Sequence, residues 1–159
     1  MSRIGGWVGT AALLVLVLPG AAWGQGYSSI GAGVAVPVSG FGDRYETGYT
    51  IRGQTGLSLM VVDAHIQTGY TAISGKSVTS AGQTDTFEDV DFFHAGVGAR
   101  VGLGVIWVGA NVAYFFGDLE DGFGILPEAG VGLGPLELVA DYRLDGDANW
   151  LGVRLGLRY

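Results

Sequence analysis

Hydrophobic and polar residues alternate along most of the chain after residue 25, most clearly in its last eleven residues. Between Asn149 and Tyr159 every second residue is apolar, whereas the positions between them hold tryptophan, glycine or arginine. A repeat of two places alternate side chains on opposite faces of a β-strand. The alternation recurs often enough to predict eight strands. Their predicted spans are Ser28–Val38, Tyr49–Leu59, Asp63–Ile73, Asp91–Val101, Val105–Phe116, Phe123–Leu133, Leu136–Leu144 and Asn149–Tyr159.

The connections between these strands alternate between long and short, and each strand has roughly the 9–11 residues that a tilted transmembrane strand needs. Pro127 falls within a strand and is expected to remove one ladder hydrogen bond. The last strand ends on an aromatic residue without a tail, so we expect it to pair with the first strand and close a barrel. The predicted loops are Ser39–Gly48, Ser74–Val90, Gly117–Gly122 and Asp145–Ala148, and the predicted turns are Met60–Val62, Gly102–Gly104 and Gly134–Pro135.

The final strand, Asn149 to Tyr159, resembles the closing strand of bacterial outer-membrane β-barrels, which is apolar at alternate positions and ends on an aromatic residue. Tyr159 stands where phenylalanine is usual in that family. The resemblance to small OmpA/OmpX-type barrels covers residues 25–159 by pattern and length, with no functional motif. It implies an all-β, eight-stranded antiparallel up-and-down transmembrane β-barrel, porin-like in architecture, in the outer membrane of a Gram-negative cell envelope. It also implies that the last strand is read by the barrel-assembly machinery.

Residues 1–24 differ in character from the rest of the chain. Arg3 precedes an apolar run from Val8 to Leu18, which is too short to span a membrane, and Pro19 and Gly20 end that run. Ala22-Trp23-Gly24 fits a small-x-small cleavage motif before Gln25. The pattern predicts a cleaved signal peptide over 1–24 and a barrel domain over 25–159.

The two faces of the predicted strands differ in chemistry. The outward face is apolar, and its aromatic residues fall mainly at the long-loop ends of the strands, as expected for rings at a membrane interface. The predicted aromatic girdle is Tyr49, Tyr70, Phe93, Tyr114, Phe116, Phe123 and Tyr142, with Tyr159 at the opposite end.

The inward face is mainly glycine with isolated large polar residues. An eight-stranded barrel has just enough interior for side chains, and buried charges must be paired, so this face predicts a plug of ion pairs. The predicted polar network of the lumen is Arg52, His65, Gln67, His94, Arg100, Asn111, Glu128, Glu137, Asp141, Arg143, Arg154 and Arg158. The turn lengths suggest Glu128 opposite Arg143, His94 near Asn111, and Arg154 diagonal to Glu137 and Asp141.

Composition limits the possible functions. The 159 residues amount to one domain, and the absence of cysteine excludes disulfides, a thiol nucleophile and an acylated cysteine. The formal charge of −7 argues against nucleic acid as a partner. Most carboxylates lie in or beside the predicted long loops, where divalent cations could bridge them to lipopolysaccharide. We expect no cofactor, a monomer, and outer-membrane lipid, lipopolysaccharide and the assembly machinery as partners.

Candidate catalytic and metal sites are weak. His65 and His94 are predicted too far apart to share a metal, so hydrogen bonding in the lumen is the favoured interpretation. Ser58, Asp63 and His65 could form a nucleophile, acid and base, but at the end of the barrel opposite to that used by lipid-modifying barrels. The segment Asp145-x-Asp147-x-Asn149 begins like a calcium loop but lacks its glycine and terminal glutamate.

The favoured function is therefore that of a non-enzymatic outer-membrane barrel with a structural or surface-interaction role and a polar, plugged lumen. One alternative is a conduit or binder for small apolar molecules, with Phe92, Trp107 and Phe115 lining part of the lumen. A second is an outer-membrane lipid-modifying enzyme. A third, a secreted lipocalin-like barrel, would need an apolar interior and a polar exterior, the reverse of this pattern.

Overall fold

A computed structural model of the chain describes residues 26–80, 82–118, 121–144 and 148–159. The predicted signal peptide over 1–24 lies outside the described residues, as do Asp145 and Asp147 of the calcium-like segment. In chain order the elements are β1 (Gly26–Pro37), α1 (Ser39–Arg44), β2 (Gly48–Leu59), β3 (Val62–Ile73), β4 (Ser77–Ser80), β5 (Gln83–Thr86), β6 (Val90–Leu103), β7 (Ile106–Gly117), β8 (Gly122–Leu133), β9 (Leu136–Tyr142) and β10 (Trp150–Arg158).

Eight of these strands form one closed antiparallel barrel, which confirms the predicted fold class. Around the barrel the order is β1, β10, β9, β8, β7, β6, β3 and β2. Adjacent strands of the barrel are therefore consecutive barrel strands along the chain, except at the closing pair of β1 and β10. The short strands β4 and β5 form a separate hairpin between β3 and β6. Among the described residues, no helix is long and apolar enough to cross a membrane.

The first and last strands close the barrel, as the sequence predicted. In the β1–β10 ladder Ala32 lies opposite Leu155 and Val34 opposite Val153. Beyond the ladder, the backbone N–H of Ser28 donates to the carbonyl of Tyr159 at 2.8 Å, and the N–H of Tyr159 donates back at 2.9 Å. Every barrel strand therefore has a partner on both sides, and the barrel has no open edge.

The period of two separates the residues as expected. On β7, Val108 and Val112 are exposed, whereas Asn111 between them is 1% exposed. On β10, Leu155 is exposed and its neighbour Arg154 is buried. Large apolar side chains thus cover the outside of the barrel, and charged side chains fill its inside.

Two connections predicted as loops contain regular structure. The six-residue helix α1 lies in the first, and it buries Phe41 beneath the loops. The hairpin of β4 and β5 lies in the second. Hydroxyl pairs link its strands on one face, Ser77 with Thr86 at 3.2 Å and Thr79 with Thr84 at 2.9 Å. Both elements escape a search for hydrophobic alternation, because one is too short to show a helical period and the other is polar throughout.

The turn between β6 and β7 also differs from the prediction. It consists of Gly104 and Val105 instead of Gly102–Gly104, and Gly104 adopts a φ of 77° that favours glycine. The ladder therefore continues to Leu103 opposite Ile106.

Pro127 interrupts the sheet where its missing N–H would be needed. The β8–β9 ladder runs from Leu133 opposite Leu136 to Glu128 opposite Asp141 and then stops. An isolated bridge between Ile125 and Leu144 continues the same register beyond the gap. Because residue 127 cannot donate to β9, the named strand β9 ends at Tyr142, two residues earlier than predicted.

Candidate functional site

The barrel interior is the densest concentration of charged side chains in the described part of the chain. Its contacts separate it into three groups along the barrel. We call them the turn-side cluster (Asp63, Arg100, Glu137 and Arg158), the central cluster (Arg52, Glu128, Asp141 and Arg154) and the loop-side cluster (Phe92, Phe115, Arg143 and Trp150).

The central cluster joins opposite walls of the barrel. Arg52 on β2 donates through Nη1 to Oε2 of Glu128 at 3.2 Å and through Nη2 to Oδ2 of Asp141. Since β2 and β8 are four places apart in a ring of eight, the pair of Arg52 and Glu128 spans the interior. Arg154 donates to the same Asp141 oxygen at 3.2 Å and lies 3.9 Å from Glu128. Two guanidinium groups thus balance two carboxylates, all of them at most 5% exposed.

The turn-side cluster repeats this balance nearer the short turns. Arg100 donates through Nε to Oδ2 of Asp63 at 2.9 Å and through Nη1 to Oε1 of Glu137 at 3.3 Å. Arg158 approaches the same two carboxylates at 3.1 and 3.6 Å. The Arg158 side chain is 32% exposed, so this cluster reaches the mouth of the barrel at its turn end.

Aromatic rings lie close to both arginines of the turn-side cluster. The guanidinium of Arg100 lies 4.5 Å from the ring centre of Tyr27 and 4.7 Å from that of Trp107. Arg158 lies 4.3 Å from Tyr27. A guanidinium held over a ring in this way gains cation–π attraction in addition to its ion pairs.

Inward glycines provide the space for these large side chains. A Cβ on Gly152 would lie 2.2 Å from Oδ1 of Asp141, and a Cβ on Gly130 would lie 2.4 Å from the Trp107 ring. Both approaches are far inside van der Waals contact. The glycine-rich inward face therefore matches the charged and aromatic residues on the neighbouring strands.

The loop-side cluster is a set of rings around one arginine. The Arg143 guanidinium lies 3.8 Å from the ring centre of Phe115, 4.6 Å from Trp150 and 5.0 Å from Phe92. A hydrophobic core packs with these rings. Its further buried members are Ala35, Phe41, Tyr45, Ile73, Val90, Ala113, Leu126 and Ala148.

Two of the three registers predicted from turn lengths were wrong. Glu128 lies opposite Asp141 and not Arg143, because the two-residue turn at Gly134–Pro135, itself correctly predicted, pairs Leu133 with Leu136 and sets a register two residues away from the expected one. His94 lies opposite Phe115, since β6 extends two residues farther than predicted. The third was right, because Arg154 lies opposite Val139 and thus diagonal to Glu137 and Asp141, of which it contacts Asp141. The errors are two and four residues, both even numbers, so the inward and outward faces were unaffected.

The remaining predicted polar residues are also buried. His65 forms a 2.6 Å hydrogen bond through Nε2 with Oδ1 of Asn111, and the same nitrogen is 3.9 Å from Glu128. His94 packs its ring 5.1 Å from that of Phe115. Gln67 is buried opposite Gln54 on β2 and Gly96 on β6.

The alternative sites use side chains that have other contacts. Ser58 lies opposite Asp63 in the β2–β3 ladder, but Asp63 pairs with Arg100 and Arg158, and His65 contacts Asn111. The rings proposed to line a conduit are divided, because Phe92 and Phe115 surround Arg143 whereas Trp107 covers Arg100. In the described ranges, no group of three or more histidine, aspartate or glutamate side chains is arranged to hold a metal ion.

Sequence reasoning missed three participants. Asp63 lies two residues before His65 on β3 and so shares its inward face, and this alternation could have placed Asp63 in the interior. Tyr27 lies one residue before the predicted start of the first strand, and Trp150 lies in the inward phase of the last.

Outside the barrel, aromatic rings form a nearly continuous girdle near the loop end. Successive ring centres are 4.8 to 6.3 Å apart from β2 to β8, and Phe123 at the end of this series is 73% exposed. Tyr142 is half-buried on β9, and Tyr159 is exposed at the opposite end of the barrel. The pairs in order are Tyr49–Tyr70, Tyr70–Phe93, Phe93–Phe116, Phe116–Tyr114 and Tyr114–Phe123.

Comparison with known proteins identifies the architecture. No family model and no curated protein sequence matches the chain. Among solved structures it is similar to the crystal structure of Neisserial surface protein A, an eight-stranded outer-membrane barrel. The match covers 84% of this chain and 95% of that one at 18% identity, with a TM-score of 0.50. The chain has the fold of a small outer-membrane β-barrel. At this level of identity the likeness concerns the fold and not a shared activity.

Proposed function

We propose that this chain is an integral outer-membrane β-barrel with a closed, polar interior, and that its role in the cell envelope is structural or surface-interacting. The observation that carries this proposal is the inversion of the two faces. Exposed valine, leucine and isoleucine cover the outside of the barrel, while guanidinium and carboxylate groups pair within it. Such a molecule is stable when hydrocarbon surrounds its outer face.

The outer surface supports a membrane location through its extent. Water-soluble monomers rarely expose contiguous apolar patches larger than a few hundred Å². Here the exposed apolar residues recur on every barrel strand, for example Val34 on β1, Val97 on β6 and Leu138 on β9. The aromatic girdle at the loop end then corresponds to one membrane interface, where such rings are enriched.

The interior supports a plug and not a channel. Arg52 and Glu128 bridge opposite walls, the turn-side cluster occupies the mouth at one end, and the loop-side cluster packs beneath the loops at the other. Opening a path would separate buried ion pairs, and an unpaired buried charge is costly. The aromatic residues considered for a conduit are engaged with arginines, so no observation favours that alternative.

The loop end supports a surface role. Exposed carboxylates of its connections include Asp43, Glu46, Asp85 and Glu88. An acidic rim of this kind would attract divalent cations and through them the phosphates of lipopolysaccharide. Outer-membrane lipid is the proposed surrounding of the barrel, and the assembly machinery is the proposed partner during biogenesis. Export through a cleaved signal peptide, a monomeric state and the lack of enzymatic activity remain predictions.

Two experiments test the proposal. The protein should fractionate with outer membranes and migrate differently on gels when boiled and unboiled, because folded barrels resist detergent until heated. Recovery in the soluble periplasmic fraction would contradict the membrane location. In planar lipid bilayers the reconstituted protein should leave the conductance at the lipid baseline, whereas steady single-channel steps would contradict the plug. If a substitution in the barrel interior were to produce channel steps, Arg44→Ala at an exposed position of α1 would be its matched control.

A further inference from the structure

The turn end of the barrel is apolar, including the turns themselves. The three two-residue turns are Met60–Val61, Gly104–Val105 and Gly134–Pro135, and an apolar residue precedes and follows each of them. Met60 is fully exposed, Val61 is 63% exposed and Val105 is 59% exposed. Turns that face water are normally rich in glycine, asparagine, aspartate and serine. These turns contain no charged or amide side chain.

Met60 adopts a backbone conformation that favours glycine. Each turn begins with a residue of positive φ, which is 77° at Gly104 and 66° at Gly134 but also 60° at Met60. Glycine adopts this conformation freely, whereas a residue with a Cβ is strained by it. The first turn thus has a long apolar side chain where its two counterparts have glycine. In water that side chain would find no apolar contact to offset the strain, because it is fully exposed.

The height of the barrel gives the turns a definite depth. Ten residue steps separate Tyr49 in the girdle from Leu59 at the end of β2, and ten separate Phe123 from Leu133 on β8. At roughly 3.3 Å per residue and a strand tilt of about 40°, such a row rises about 25 Å along the barrel axis. The apolar band of transmembrane barrels is also about 25 Å tall. With the girdle at one interface, the hydrocarbon layer therefore extends to the turns.

Polar groups at this end lie inside the ring of turns. Arg158 and Asp63 pair across the mouth, and Nη2 of Arg158 is 3.4 Å from Oγ of Ser58. Outside that mouth, Tyr159 is the one aromatic residue that the described part of this end presents, in contrast to the continuous girdle at the loop end. At the periplasm-facing interface, aliphatic turns thus take the place of a second girdle of aromatic rings.

We propose that the three turns are seated among the phospholipids of the inner leaflet, at the boundary between acyl chains and headgroups, and that this end of the barrel does not project into the periplasm. This inference rests on the proposed function, since it takes the girdle as the outer interface. The turns would contact a lipid surface. The contacts of Met60, Val61 and Val105 with lipid would fix how deeply the barrel lies in the membrane.

Single-cysteine labelling can test the proposed depth directly, because the chain has no cysteine. The probes are Val61→Cys and Val105→Cys in two separate turns, Val112→Cys on the outward face in the middle of β7, and Thr84→Cys in the exposed hairpin of β4 and β5. Each variant carries an environment-sensitive fluorophore and is reconstituted in phosphatidylcholine vesicles. Quenching is measured with aqueous iodide on both sides of the vesicle membrane and with a phosphatidylcholine that carries a nitroxide near its headgroup.

We expect the lipid nitroxide to quench both turn probes, and iodide to quench them severalfold less than the Thr84 probe. Iodide quenching of both turn probes equal to that of the Thr84 probe, with the Val112 probe still protected, would overturn the inference while leaving the membrane barrel intact. Iodide access to the Val112 probe would instead refute the proposed function. Turn probes shielded from both quenchers, with energy transfer between copies that rises with protein density, would mean that a second copy covers this end and would also overturn the inference.

A substitution provides an independent measurement. Val105→Asp should lower the denaturant concentration at which the reconstituted barrel unfolds, because it moves a carboxylate into the lipid boundary. Thr84→Asp places the same group in water and should leave the midpoint unchanged. Equal midpoints for the two variants would contradict the proposed depth.

Discussion

Replacing Arg52 by alanine tests whether the central cluster stabilises the barrel. The Arg52 side chain is 4% exposed, and the carboxylates that it contacts on Glu128 and Asp141 are 1% and 2% exposed. At this burial, solvent screens the ion pairs only weakly. The Arg52→Ala substitution leaves two carboxylates against the single guanidinium of Arg154, so that the central cluster acquires one uncompensated negative charge.

The expected magnitude follows from this imbalance. Removing one partner of a buried ion pair costs about 3–5 kcal/mol, because the other charge stays desolvated. Arg154 keeps its 3.2 Å contact with Asp141 and lies 3.9 Å from Glu128, which offsets part of the loss. We therefore expect Arg52→Ala to lower the free energy of unfolding by about 3 kcal/mol. Arg44→Ala, at an exposed position of α1, should change it by less than about 0.5 kcal/mol.

The assay is denaturant unfolding of the reconstituted barrel, followed by tryptophan fluorescence and by the gel shift between boiled and unboiled samples. A double-mutant cycle makes the result specific to charge. Glu128→Gln in the Arg52→Ala background removes the uncompensated charge and should restore part of the lost stability, although Glu128→Gln alone should be destabilising. Equal unfolding midpoints for Arg52→Ala and Arg44→Ala would refute the reasoning, as would strictly additive effects of the two interior substitutions.

Three further predictions concern the wall of the barrel. Val112→Arg should cost about 2–4 kcal/mol if its side chain faces hydrocarbon, measured by the same unfolding assay, and an effect no larger than that of Arg44→Ala would contradict the assignment of faces. Gly152→Ala should destabilise by about 1–3 kcal/mol because its Cβ would meet Asp141, whereas Gly40→Ala has no atom within 4 Å of the new Cβ and serves as the control; similar midpoints would argue against the tight packing. Deleting residues 151–159 should abolish the gel shift and leave the chain as an aggregate or degradation product, because each unsatisfied backbone group in hydrocarbon costs several kcal/mol; a truncated chain that keeps the shift would contradict the role of β10 in closure.

The outward and inward faces could be predicted because each depends on local information. Side chains two residues apart share a face whatever the neighbouring strand is, so Val112 and Asn111 were assigned correctly without knowledge of their partners. The closing pair of strands followed from the need to leave no edge. Glycine at inward positions such as 152 and 130 also signalled large neighbours, although not which neighbours.

Apart from the contact of Arg154 with Asp141, the ion-pair partners could not be predicted, because their identity depends on register and on contacts across the barrel. An error of two residues in the expected β8–β9 register placed Arg143 and not Asp141 opposite Glu128 without changing either face. The bond from Arg52 to Glu128 joins residues far apart in sequence on opposite walls, and no pattern within either strand encodes it. The helix α1 and the hairpin of β4 and β5 were missed for a different reason, since their formation depends on short-range packing and hydroxyl contacts, not on a hydrophobic period.

The pairing of β1 with β10 has a kinetic consequence. These two strands are the most distant in sequence, with roughly 130 residues between Ser28 and Tyr159, and closing a flexible loop of that length carries an entropy cost of about 4 kcal/mol. The two strands of each of the other seven neighbouring pairs follow one another along the barrel order of the chain, so these ladders can form more locally. The seam between β1 and β10 is therefore expected to form last, when the seven other ladders have already brought its two edges together. A circularly permuted chain, joined across this seam and opened within the β4–β5 hairpin, would turn the slowest contact into a local one and transfer the closing step to the pairing of β3 with β6.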